Sequence, residues 1–317
     1  MHKLHNFLKM NEEQSKEINI KNTKKYMIKE IKTFNIEIGN IIKISKFPSG
    51  NILIITSNQT INIFDKDLKF KQTLNNEDNS PIIGITIKDD NNFLTWTNDK
   101  IITTWKKYLD LFKINEIILN AHNFEIYEVI YSKNDNIISI DRNSIKLWSK
   151  SKSSFQCTTI IKSNYFYSLL LFEDKNMLIC SGDNGIWFFD IITFSLYFEI
   201  KEKQLISSSL FKLNNNTILF DTGNNFIIFS LLEKKVIKSF NHDYLYFNIV
   251  KLIPQKRIMI CGRYNSYSDF VFYNIDNFQI VYRIIDDVYL YEGIENLNDD
   301  SIMLCTREGT FFIFKLL

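Results

Sequence analysis

His122, Ser139, Asp141 and Trp148 stand close together in one stretch, AHNFEIYEVIYSKNDNIISIDRNSIKLWS, residues 121 to 149. A serine, a histidine and an aspartate are the residue types of a nucleophilic triad, in which the imidazole takes the serine proton and the carboxylate orients the imidazole. Such chemistry also requires an open pocket and an oxyanion hole. The other residue types that do chemistry are scattered. Of the four histidines, His2 and His5 lie at the N-terminus, and His122 and His242 are far apart in sequence. The cysteines, Cys157, Cys180, Cys261 and Cys305, form no C-x-x-C pair, so no metal site is expected. Nine glycines build no phosphate-binding loop. The acidic pairs Asp89-Asp90, Asp286-Asp287 and Asp299-Asp300 fall where turns are expected, and Asp is ordinary turn chemistry. No catalytic residue, metal or cofactor is expected.

Composition sets the background for these residues. The chain has 317 residues, 45% hydrophobic and 15% aromatic, with Ile and Phe prominent and Ala scarce, a bias that suits strands more than helices. Its 38 basic and 36 acidic residues leave a net charge of +2, so no broad electrostatic footprint for a nucleic-acid backbone is present. No run of 18 apolar residues occurs and the N-terminal stretch has no apolar leader region, so neither a membrane span nor a secretory signal is expected. Cytosol or nucleus is the expected location.

The elements that must position His122 to Trp148 emerge from an internal repeat. Ile44, Ile85, Val129, Leu169, Leu210, Val250 and Ile294 recur about every 41 residues. A second apolar run begins at a constant offset beyond each, at Ile52, Phe93, Ile137, Met177, Ile218, Ile258 and Ile302. A third run ends on an aromatic every time: Phe64, Trp105, Trp148, Phe189, Phe229, Tyr273 and Phe314. Turn-rich clusters such as PSGN, KNDN and LNNN separate the first two runs, and a short fourth strand such as SLYFEI follows the third. Four short antiparallel strands per unit, seven times over, predict an all-β, seven-bladed β-propeller over residues 26–317, preceded by a flexible or short helical tail over residues 1–25. The last unit ends without a fourth strand, and YMIKEIKTF, residues 26 to 34, is expected to supply it and close the ring.

With the repeat in place, the wording of the third unit resembles the WD-repeat family, whose consensus runs from Gly-His to Trp-Asp. Here Ala121-His122 leads to Trp148-Ser149, while the other units read FD, WK, FD, FS, YN and FK at the Trp-Asp position. The resemblance covers all seven units in spacing and is degenerate in wording. It implies that His122, Ser139, Asp141 and Trp148 form a hydrogen-bonded chain that fixes blade geometry, a structural role and not a catalytic one. It also implies a scaffold or adaptor that binds proteins or peptides on the face carrying the strand 2 to 3 turns. A substrate-recognition subunit of a ubiquitin ligase or of a membrane coat is the alternative within binding proteins, and a propeller enzyme is the rival from another class. The paired arginines of lipid-binding propellers have only Arg263 here, in CGRYN, so lipid is not an expected partner.

Residues two and four before each repeat-locking position flank the entry of an innermost strand. Glu125, Tyr127, Tyr165, Tyr167, Tyr246 and Glu292 are thereby expected on the binding face, where tyrosine offers large contact area and a hydroxyl at little entropic cost. Of five arginines, Arg142, Arg263 and Arg307 all fall in strand 2 to 3 turns. A guanidinium fork suits carboxylate or phosphate, which points to an acidic or phosphorylated peptide.

Overall fold

A computed structural model describes residues 28–35, 39–76, 80–151, 154–162, 166–206, 210–222, 225–241, 249–263, 268–286, 291–298 and 300–316. The N-terminal tail, with His2 and His5, lies outside the described residues, as do Tyr165, His242 and Tyr246.

The described residues form seven antiparallel blades arranged in a ring. Blade one runs from Ile41–Lys46 through Ile52–Thr56 and Thr60–Phe64 to Phe70–Asn75. Blade three repeats the plan with Ile126–Tyr131, Ile137–Asp141, Ser144–Ser151 and Ser154–Lys162. Among the described residues there is no α-helix; three short 3-10 turns, Lys133–Asp135, Glu173–Lys175 and Pro254–Lys256, lie between first and second strands. Blade four departs from the expected short strands. Its second and third strands form one run, Met177–Asp190, whose first half pairs with Phe166–Phe172 and whose second half pairs with Leu196–Ile206. The fourth strand is therefore longer than SLYFEI, because the hairpin around Asp183 keeps its pairing as far as Ile206.

The second strand of a blade explains why the ring forms. Ile137–Asp141 is buried at every position, and successive side chains of a strand point to opposite faces. Ile137 packs with Leu94, Trp96 and Ile102 of blade two. Ile138 and Ile140 pack with Leu169, Leu178 and Cys180 of blade four. One strand thus feeds two interfaces, and a blade alone would leave both apolar faces in water. The same split recurs around the ring to the last interface, where Ile44, Ile52 and Ile54 of blade one meet Met303, Cys305 and Phe311 of blade seven. Cys180, Cys261 and Cys305 each take a place in such a layer, as small apolar residues.

Ile28–Asn35 runs antiparallel to Thr310–Leu316, with Ile28 opposite Leu316 and Asn35 opposite Thr310. Because strands alternate in direction, the second-to-third turns and the links between blades emerge on one face of the ring, and the remaining turns emerge on the other.

Candidate functional site

Blade three carries the first candidate constellation. Ala121-His122 precedes its innermost strand, Ser139 and Asp141 lie on the second, and Trp148 lies on the third. The structure brings all four together. The Trp148 indole donates from Nε1 to Ser139 Oγ at 2.8 Å. Ser139 Oγ lies 2.6 Å from His122 Nε2, and His122 Nδ1 lies 3.2 Å from Asp141 Oδ2. One proton arrangement satisfies the chain: Ser139 donates to Nε2 and the Nδ1 proton is given to the carboxylate.

Asp141 has further duties. It accepts from the Asn143 amide at 2.8 Å, from Ser144 Oγ at 2.9 Å and from the Phe124 amide at 3.3 Å. The strand 2 to 3 turn is thereby tied to the link entering the blade. Burial pushes the Asp141 carboxyl up, but the hydrogen bonds from His122, Asn143 and Ser144 outweigh it and hold the group well below the usual carboxylate range. Burial in turn holds the His122 imidazole below its ordinary value, against the pull of Asp141. Ser139 is fully buried and spends an oxygen lone pair on the indole, so this arrangement joins three elements and presents no serine oxygen to solvent.

Two participants had escaped the reading of residue types. Ser144 was legible as a serine three places after a turn-forming Asp. In blade two, Trp105 Nε1 donates to Thr95 Oγ1 at 3.0 Å, half of the blade-three network. Thr95 follows Phe93, the start of its apolar run, by the same offset as Ser139 follows Ile137, and that register was the available signal.

The second constellation lies on the rim between blades three and four, on the face of the second-to-third turns. The rings of Tyr127 and Tyr167 are 5.7 Å apart. Tyr127 is 38% exposed, and the Tyr167 hydroxyl donates to Asp183 Oδ1 at 2.8 Å. Burial, then the bond to Asp183, pushes the Tyr167 phenol up to about 12. The Arg142 guanidinium sits 5.8 Å from the centre of the exposed Phe124 ring, and the Arg142 carbonyl accepts from the Phe166 amide at 3.3 Å. Glu125 is exposed between them in sequence.

Of the other predicted residues, Arg307 is the one whose side chain is described, and it lies away from this rim. Arg307 is exposed in the corresponding turn of blade seven, where its carbonyl accepts from the Ile41 amide at 2.7 Å. Blade seven is three places round the ring from blade three. Arg263 ends the strand Ile258–Arg263 and Glu292 lies in Tyr291–Asn298; their side chains, like Tyr165 and Tyr246, lie outside the described residues. Among the described residues no group of three or more His, Cys, Asp and Glu side chains is placed to hold a metal ion. Among the described residues no helix is long and apolar enough to cross a membrane.

Among the described residues this geometry defines a β-propeller with a fully bonded network in blade three and an aromatic and cationic rim beside it. No protein-family model matches the chain, and no curated protein is significantly similar to it.

Proposed function

We propose that the chain is a degenerate WD-repeat propeller that acts as a non-catalytic scaffold or adaptor in the cytoplasm or nucleus, and that it binds a protein or peptide on the rim between blades three and four. The bonded series from Trp148 through Ser139 and His122 to Asp141 supports the family assignment. The gathering of Tyr127, Tyr167, Phe124 and Arg142 on one rim carries the functional reading. Aromatics and arginine are the side chains that most often dominate binding energy at interfaces. Fold by itself names no partner, so the reading rests on this site.

Affinity purification with mass spectrometry tests it. The partners recovered with the wild-type chain are expected to disappear with Tyr127→Ala combined with Arg142→Gln. They should persist with Leu109→Ala, a 99% exposed residue in a turn between third and fourth strands. Identical partner sets for wild type and the double variant would overturn the rim assignment. A recognition subunit of a larger assembly would bring stoichiometric subunits with it, which the same experiment reads.

A further inference from the structure

Directly beneath the rim, the innermost strands carry a layer of unusual composition. Lys43, Gly84, Glu128, Ser168 and Gly293 occupy equivalent places in blades one, two, three, four and seven, each one pair in from the strand's first pair. The innermost strands line the central channel, so this layer surrounds its mouth. Going round the ring, Lys43 lies between two glycines, Gly293 in blade seven and Gly84 in blade two, and neither offers a side-chain acceptor.

The glycines are filled from elsewhere. A Cβ on Gly84 would lie 2.0 Å from Trp96 Cζ2, so the indole lies over the inner strand of its own blade. A Cβ on Gly293 would lie 2.1 Å from Ile44 Cγ2. The Lys43 ammonium sits 5.6 Å from the centre of the Trp96 ring, a favourable but undemanding contact for a cation.

The acid of this layer is already engaged. Glu128 Oε2 accepts from the Leu169 amide at 2.6 Å, and Ser168 also bonds to the carboxylate. Lys43 is different: among the described residues no oxygen accepts a hydrogen bond from its ammonium. Lys251, on the inner strand of blade six, shows the usual solution, an ion pair with Glu295 at 2.8 Å. Burial draws the Lys43 ammonium below the ordinary lysine range, with Glu128 opposing. An enclosed cation without an acceptor is costly, yet Lys43 is only partly buried, on an innermost strand of the kind that faces the central channel.

We propose that Lys43 is the seat for an anionic side chain, carboxylate or phosphate, of a peptide that docks on the Tyr127–Tyr167 rim. The docking half of this statement rests on the rim reading above; the seat does not. Trp96 supplies the wall beside the cation, and neither Gly84 nor Gly293 brings a side-chain acceptor that would compete for it. A charge-assisted bond made in an enclosed mouth should favour an anionic over a neutral side chain by about tenfold or more.

The test uses the purified full chain on an array of immobilised peptides in which each sequence appears with Glu, phosphoserine or Gln at a central position. The strongest binders are then titrated in solution by fluorescence anisotropy. The wild type is expected to prefer Glu or phosphoserine over Gln by about tenfold, and the preferred member of that pair names the source of the anion. Lys43→Met should abolish the preference, whereas Lys43→Arg and the exposed control Lys235→Met should keep it. Lys43→Gln, uncharged but polar, is read in parallel in case the apolar replacement lowers the melting temperature. A preference that survives in Lys43→Met and Lys43→Gln, or an array without anionic preference, overturns the seat. If binding survives Tyr127→Ala with Tyr167→Phe while the preference still depends on Lys43, the rim reading fails and the seat stands.

Discussion

Ser139 is the hinge of the blade-three network, because it accepts from Trp148 and donates to His122. Ser139→Ala leaves a buried indole N–H and a buried imidazole nitrogen without partners, and each orphaned group costs about 1–3 kcal/mol. Chemical denaturation is expected to show a loss of about 2–6 kcal/mol for the two groups together, while Ser149→Ala, on the same blade but outside the chain of bonds, should be near neutral. The network also makes a pH prediction. His122 has a folded value below its unfolded 6.5, so at pH below 6.5 the unfolded chain binds a proton that the folded chain refuses. Stability should therefore be full above that value and fall as pH drops through it, by at most about 1.4 kcal/mol per pH unit for this group. Asp141, whose folded value is also depressed, extends the loss to lower pH, below the ordinary carboxylate range. Urea unfolding at pH 7.5 and 5.5 checks the upper part: His122→Phe should lose less between the two than the wild type. At this scale the sequence was informative about identity, since His122, Ser139, Asp141 and Trp148 were all legible from one motif. Lys43 was not, because a lysine in an apolar strand reads as an ordinary residue until its neighbours in other blades are known.

At the scale of elements, the second strands carry the cohesion. Ile138 and Ile140 are fully buried between blades three and four, and Ile140→Ala should cost about 2–5 kcal/mol. Ile160, on the outermost strand of the same blade, is 53% exposed, and its replacement by Ala should change stability by no more than about 0.5 kcal/mol. Thermal melts of the two variants give the comparison directly. Gly84→Ala tests a different contact, since the new methyl must displace the Trp96 ring; forced overpacking of this kind costs about 1–3 kcal/mol, and a shifted Trp96 emission should accompany it. The strands were legible from spacing because each hairpin is local in sequence. The merged run Met177–Asp190 was not, because pairing across its bend depends on Leu196–Ile206.

For the whole molecule, the pairing of Ile28–Asn35 with Thr310–Leu316 suggests a role: we propose that it closes the ring by covering an edge that would otherwise pair with other chains. Deletion of residues 26 to 34 is expected to give an insoluble product; a soluble monomer with unchanged melting would sink the proposal. The amino-acid sequence by itself determined the blade: its period, its four strands and its turns. These follow from alternation and turn chemistry, which act over a few residues. Only the tertiary structure decided which residues of different blades meet. Tyr127 reaches Tyr167, and Lys43 reaches Trp96 but, among the described residues, no acceptor, because those contacts depend on how neighbouring blades pack and on side chains that Gly84 and Gly293 do not have.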